Sequence, residues 1–168
     1  MKYLFILSFV LVHAFCGNGL GYASGTPVWT HFTYMFQHSG IVHLATNSLA
    51  FIGMYRAMEK LAGKRALAIY ILLLGFALSF AAQHDIPTVG ASGMVYVMAG
   101  MYAGYIFPMK HSPAIPPRNH ILFLISILLF LVASYFKQNS NFALHIYSFL
   151  AGTFLYTILC HLKNARRL

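Results

Sequence analysis

Four residues of this sequence could perform chemistry together: Ser92, His145, His43 and Asn47. A serine hydroxyl attacks a carbonyl carbon only when a neighbouring base removes its proton. A neutral imidazole, with an ordinary pKa near ~6.5, suits that task, and His145 is the histidine placed to serve Ser92. The usual third member is a carboxylate, yet the chain holds only two acids, Glu59 and Asp85. Glu59 stands among basic residues far from the serine. Asp85 lies seven residues before Ser92 and is a minor candidate for orienting the base. The expected unit is therefore a Ser92–His145 dyad, with the Tyr96 ring packed against the imidazole. Acyl transfer also needs donors for a developing oxyanion. Gly90-Ala91-Ser92-Gly93 opens an apolar run, where a helix start leaves backbone N–H groups unpaired. The Ser92 N–H, the Asn47 amide and the His43 ring are the expected donors, and Gly90 and Gly93 leave room for a substrate backbone.

These side chains need elements to hold them, and composition says of what kind. Hydrophobic residues make up 60% of the 168 and charged residues 8%, against roughly 25% charged in a soluble domain. The apolar runs are about 3–17, 41–55, 66–82, 90–109, 120–136 and 142–162. Backbone groups in lipid must be satisfied internally, and the runs lack period-two alternation, so helices are expected and a β-barrel is not. The expected fold is an all-α polytopic membrane protein, one domain spanning 1–168 with six transmembrane helices in a lipid bilayer. Met1-Lys2 followed by an apolar stretch also resembles a signal peptide. Phe15-Cys16-Gly17-Asn18 offers no small-x-small cleavage site, so a retained first helix is expected.

Charge sets the orientation. With the N-terminus inside, the inner loops and tail receive Lys2, Arg56, Lys60, Lys64, Arg65, Lys110, Arg118, Lys163, Arg166 and Arg167; of the eleven basic residues only Lys137 falls outside. That asymmetry predicts cytoplasmic N and C termini. The net charge of +9 is thus spread between apolar runs, which argues against a nucleic-acid partner. Cys16 and Cys160 have no CxxC or Cys/His spacing, and His38 and His43 are five apart, so neither a disulfide framework nor a metal site is expected.

Depth along the helices draws the polar residues together. Ser92 precedes Lys110 by 18 residues, His145 precedes Lys163 by 18, and His43 precedes Lys60 by 17. At 1.5 Å per residue, all three lie about 25–27 Å above an inner-face charge, in one layer near the outer surface. His43 and Asn47, four apart, share a helix face, as do Ser92 and Tyr96, with Ala99 and Ala103 continuing that stripe. His145, Ser148 and Gly152 form another face, and small residues at such spacing let membrane helices approach closely. The fourth and sixth runs are therefore expected to pack together. Gln37, His38, Ser39, Gln83, His84, Gln138, Asn139 and Asn141 cluster at outer ends and are expected to hydrate a cavity there. Singly, each feature has a bland counterpart: a serine packing contact, an interfacial histidine, an asparagine gluing helices. Coincidence in depth and in chemical role separates the two readings.

Three segments resemble the rhomboid family of intramembrane serine proteases, in its minimal six-helix bacterial form. Residues 36–47, FQHSGIVHLATN, are similar to the second-helix pattern of a His followed by H-x-x-x-N. Gly90-Ala91-Ser92-Gly93-Met94-Val95-Tyr96 resembles the G-x-S-G motif with its tyrosine one turn on. His145 to Gly152 looks like the sixth-helix histidine followed by glycines. G-x-S-G alone says little; three motifs in order say much more. The resemblance implies a serine endopeptidase that uses no metal or cofactor, with Ser92 as nucleophile and His145 as base. It implies an oxyanion hole of His43, Asn47 and the Ser92 N–H, with His38, Gly90, Gly93, Tyr96 and Gly152 supporting. It also implies single-span membrane proteins as substrates, cut near the outer face at small residues after entry past the fifth helix, and a place in the bacterial inner membrane. Trp29 lacks a following arginine, Ser148 stands where the family often has glycine, and no cytosolic domain or seventh helix is expected. Two other readings differ in kind: a non-proteolytic relative that binds and routes membrane proteins, and a small histidine-dependent transporter. The first usually lacks the serine or the histidine. The second needs polar residues through the inner halves of the runs, which are apolar.

Overall fold

The computed structural model describes residues 1–82, 85–106, 117–137 and 140–165, and of 117–119 and 163–165 the backbone alone. Regular structure among them is helical: α1 Lys2–Phe15, α2 Thr30–Thr33, α3 Ile41–Ala62, α4 Lys64–Ala81, α5 Ser92–Ile106, α6 Pro117–Phe136 and α7 Phe142–Ala165. An isolated antiparallel bridge joins Tyr22 to Thr88. By length and composition, α4 and the Phe142–Leu162 part of α7 can cross a membrane; Lys2–Phe15 and His120–Phe136 are shorter apolar helices.

The six long helices coincide with the six apolar runs, with shifted bounds. α3 was expected to stop near Tyr55 but continues to Ala62, because Arg56–Ala62 consists largely of strong helix formers. It ends where Gly63 takes φ +81, and α4 starts on the next residue. The fourth run was expected to be helical from residue 90; α5 starts at Ser92 because Gly90 takes φ +117, which helical geometry does not allow. The short helix α2 inside the first connection was not expected. Positions 107–109 of the fourth run, the proline-containing connector as far as 116, and Gln83, His84, Lys110, Gln138, Asn139, Arg166 and Arg167 lie outside the described residues, as do the side chains of Arg118 and Lys163.

α5 is the central helix, with 11 of its 15 residues buried. Around it, large apolar residues face outward, among them Val42, Leu49, Leu73, Leu128, Phe130 and Phe154. Such a belt is lipid-facing in character, since soluble proteins seldom expose apolar patches of this extent. Between helices in lipid the hydrophobic effect supplies little, so packing depends on close approach. α5 and α7 achieve it with glycine: a Cβ on Gly100 would collide with the Phe149 carbonyl, and one on Gly152 with the Val97 carbonyl. Gly104 faces the Thr153 carbonyl less tightly, where a Cβ would fall 2.7 Å away. Gly100 and Gly104 bring the two backbones together. At the far end from Ser92, Lys2 and Glu59 form an ion pair at 2.6 Å that ties α1 to α3.

Candidate active site

The backbone before α5 is clipped to the 18–40 connection. Tyr22 and Thr88 exchange backbone hydrogen bonds at 3.2 and 2.7 Å, and Gly90 N–H donates to the Tyr34 carbonyl at 2.9 Å. The connection is itself anchored. Tyr34 Oη donates to Gly75 O on α4, and the His31 ring stacks on Phe80 with centroids 4.0 Å apart and meets Ser79 at 2.9 Å. These ties set where α5 begins and hence where Ser92 points.

α7 brings His145 to it. His145 Nε2 lies 2.8 Å from Ser92 Oγ, and the imidazole is 8% exposed. The Tyr96 ring stacks on the imidazole at 4.4 Å between centroids and 27° between planes. A hydroxyl that donates to Nε2 requires the neutral ring to carry its proton on Nδ1. Asp85 does not reach the ring; its carboxylate accepts from Ser24 at 3.2 Å on the surface. Ser134 of α6 occupies the orienting place instead, with Oγ 2.7 Å from His145 Nδ1. No residue of α6 was among the expected site residues, because Ser134 is one of two serines in an apolar helix and carries no sequence signal of its own.

α3 supplies the other wall. A Cβ on Gly90 would stand 3.0 Å from His43 Nε2 and 3.7 Å from Asn47 Nδ2, so the imidazole edge and the amide flank the same short segment as Ser92. The His43 tautomer follows from its neighbours. Nδ1 lies 3.0 Å from Ser39 Oγ and 3.4 Å from the Ser39 N–H, and a backbone N–H can only donate. Nδ1 is therefore the acceptor, and Nε2–H faces Gly90. Asn47 Nδ2 spends one proton on the His43 carbonyl at 2.9 Å and keeps the other. Gly93 packs against the Tyr34 hydroxyl and Leu144, where a Cβ would stand 3.2 and 3.4 Å away.

His38 stands behind this wall. Its Nε2 accepts from the Ala91 N–H at 3.4 Å while Nδ1–H donates to Phe36 O at 3.3 Å, which fixes a neutral ring. Burial, with the nearby His43 adding to it, lowers the His38 pKa from 6.5 to about 4.

Besides His38, which is itself buried, two more residues expected to hydrate a cavity do otherwise. Gln37 is buried, accepting from Leu20 N–H at 2.6 Å and donating to Gly17 O at 3.1 Å. Asn141 is also buried; its Nδ2 contacts Tyr22 Oη, Ala82 O and Thr88 Oγ1, and its Oδ1 accepts from Leu144 N–H at 3.0 Å at the start of α7. Both are internal ties, because connections packed into a bundle need their own polar groups satisfied. Ser148 is fully buried, and its hydroxyl has no hydrogen-bond partner among the described residues. A cleft of about 370 Å³ does open beside the site, between the first turn of α3, with His43 and Thr46, and Lys137 after α6.

The family model described as Rhomboid domain matches residues 25–162. The protein named "Putative rhomboid protease YdcA" of Bacillus subtilis (strain 168) is 31% identical over 156 residues, covering 90% of this chain and 76% of that protein.

Proposed function

The chain belongs to the rhomboid family, and we propose that it is an intramembrane serine endopeptidase working through a Ser92–His145 dyad. The observation that carries this reading is the 2.8 Å contact between His145 Nε2 and Ser92 Oγ. Ser92 Oγ attacks the scissile carbonyl while its proton passes to Nε2. The tetrahedral oxyanion takes hydrogen bonds from the Ser92 N–H, the Asn47 amide and His43 Nε2–H. The C–N bond then breaks, and the imidazolium gives its proton to the leaving amine. Water repeats the sequence on the acyl-serine and frees the enzyme. A resting dyad without charge suits a depth at which ionised groups are costly.

The substrates proposed are single-span membrane proteins, cut near the outer face. Six spans in one domain, with both termini cytoplasmic, are proposed with them, supported by the distribution of basic residues. A cytoplasmic-membrane location in a bacterium fits the Bacillus relative. The non-proteolytic reading has less support because both dyad members are present and in contact. The transporter reading has less again: Val97, Met98 and Met101, deeper on α5 than Ser92, are fully buried and apolar. The test is to reconstitute the protein with a single-span substrate carrying small residues near its outer end. Wild type should release two fragments, and Ser92→Ala none.

A further inference from the structure

Among the described side chains of α6, one alone is buried, and it is polar: Ser134, 7% exposed. The rest of the helix presents residues such as Leu128, Leu129 and Phe130 to the outside, and α6 packs only against α5 and α7 among the described elements. At the outer end of α6 the Tyr135 ring meets Phe142 of α7 with centroids 5.3 Å apart, and Ser134 adds a buried polar tie beside that apolar contact. Ser134 Oγ lies 2.7 Å from His145 Nδ1 and 2.7 Å from Ser140 Oγ. The turn that follows holds the two serines together: Lys137 N–H donates to Ser134 O, Ser140 N–H to Lys137 O, and Phe142 N–H to Ser140 O.

We propose that Ser134, backed by Ser140, is the positioning residue of this site, holding the His145 imidazole in the tautomer that can accept the Ser92 proton, and doing so only while α6 is seated. The inference rests on the protease reading above. The bonds run in one consistent direction. Ser92 O–H donates to Nε2, Nδ1–H donates to Ser134 Oγ, and Ser134 O–H donates to Ser140 Oγ. The reverse tautomer, with hydrogen on Nε2, cannot take the serine proton. When it does take that proton, His145 carries hydrogen on both nitrogens, and its bond to Ser134 becomes charge-assisted and stronger. A buried carboxylate plays this part in three-membered sites. A hydroxyl does so without a second ionised group inside the membrane. Because Ser134 belongs to the most thinly packed long helix, any displacement of α6 from α7 withdraws the support and frees the imidazole to rotate.

The experiment compares wild type, Ser134→Ala and Ser134→Thr in bilayers. It measures kcat and KM for one transmembrane substrate, and the ring-nitrogen NMR signals of His145 in protein labelled with ¹⁵N-histidine, identified by their loss in His145→Gln. Ser134→Ala should lower kcat about ten- to a hundredfold and leave KM within about twofold. Its Nδ1–H proton should move upfield as the hydrogen bond is lost, and Ser134→Thr should restore both readings. Wild-type kcat in Ser134→Ala, or a loss that threonine leaves unrelieved while the His145 signals stay put, overturns the proposal. Should Ser134→Ala fold poorly, Ser140→Ala carries the test: a smaller kcat loss with the same direction of NMR shift supports the relay, and no change in either contradicts it. A folded wild type that cleaves nothing sinks the protease reading instead, and the NMR arm still judges the Ser134 bond.

Discussion

Gly100 on α5 sits so close beneath the Phe149 carbonyl of α7 that not even a methyl group fits between them. Neither side of the contact is the far end of a flexible side chain, so the helices themselves would have to part. Gly100→Ala should therefore destabilise the bundle by about 1–3 kcal/mol, the usual cost of overpacking. It should also reduce cleavage in the fraction that folds, since parting α5 from α7 lengthens the Ser92–His145 contact. Thermal unfolding and turnover of the folded fraction check both halves.

Asn47 is expected to matter more to rate than to fold. As an oxyanion donor its loss should raise the barrier by roughly 2.7–4 kcal/mol with KM little changed. Its bond to the His43 carbonyl contributes only about 1 kcal/mol to stability. If Asn47→Ala instead unfolded readily while its surviving fraction turned over normally, Asn47 would be helix glue.

Much of this was legible in the residues. Near absence of charge and six apolar runs implied helices, and counting from inner-face charges put Ser92, His145 and His43 at one depth. What escaped has a physical reason in each case. Ser134 contributes one hydroxyl to an apolar helix, and only the three-dimensional course of α6 brings it to His145. Gln37 and Asn141 lie in connections just before helices, where polarity in sequence looks the same whether it meets water or satisfies buried backbone. Gly100 and Gly104 were not singled out because spacing alone does not say which small residues let the two backbones touch.

Ser148 is a buried hydroxyl without a partner among the described residues. An unsatisfied buried polar group costs about 1–3 kcal/mol. Ser148→Ala should accordingly raise the unfolding midpoint by roughly 2–4 °C for each kcal/mol regained, with cleavage retained. A fall in the midpoint would mean that the hydroxyl has a partner in the bilayer.

His38 gives a pH signature. Its pKa is lowered in the folded state from 6.5 to about 4, so between those values the unfolded chain binds the proton more readily. Its contribution to stability is complete above about pH 6.5 and declines as pH falls toward 4. Wild type should lose stability across that window, and in His38→Gln the slope should be flatter by up to about 1.4 kcal/mol per pH unit. Parallel slopes in the two proteins would place the acid sensitivity elsewhere.

The central claim is that Ser92 is a nucleophile because His145 removes its proton, and covalent labelling tests it most directly. Wild-type protein in bilayers is treated with a fluorophosphonate and the modified peptide identified by mass spectrometry, alongside Ser92→Ala and His145→Ala. The account predicts a phosphonylated Ser92 in wild type and no other labelled serine, with labelling absent in Ser92→Ala and slowed by orders of magnitude in His145→Ala. Labelling of Ser92 at the wild-type rate without His145, or labelling that persists without Ser92, would contradict it.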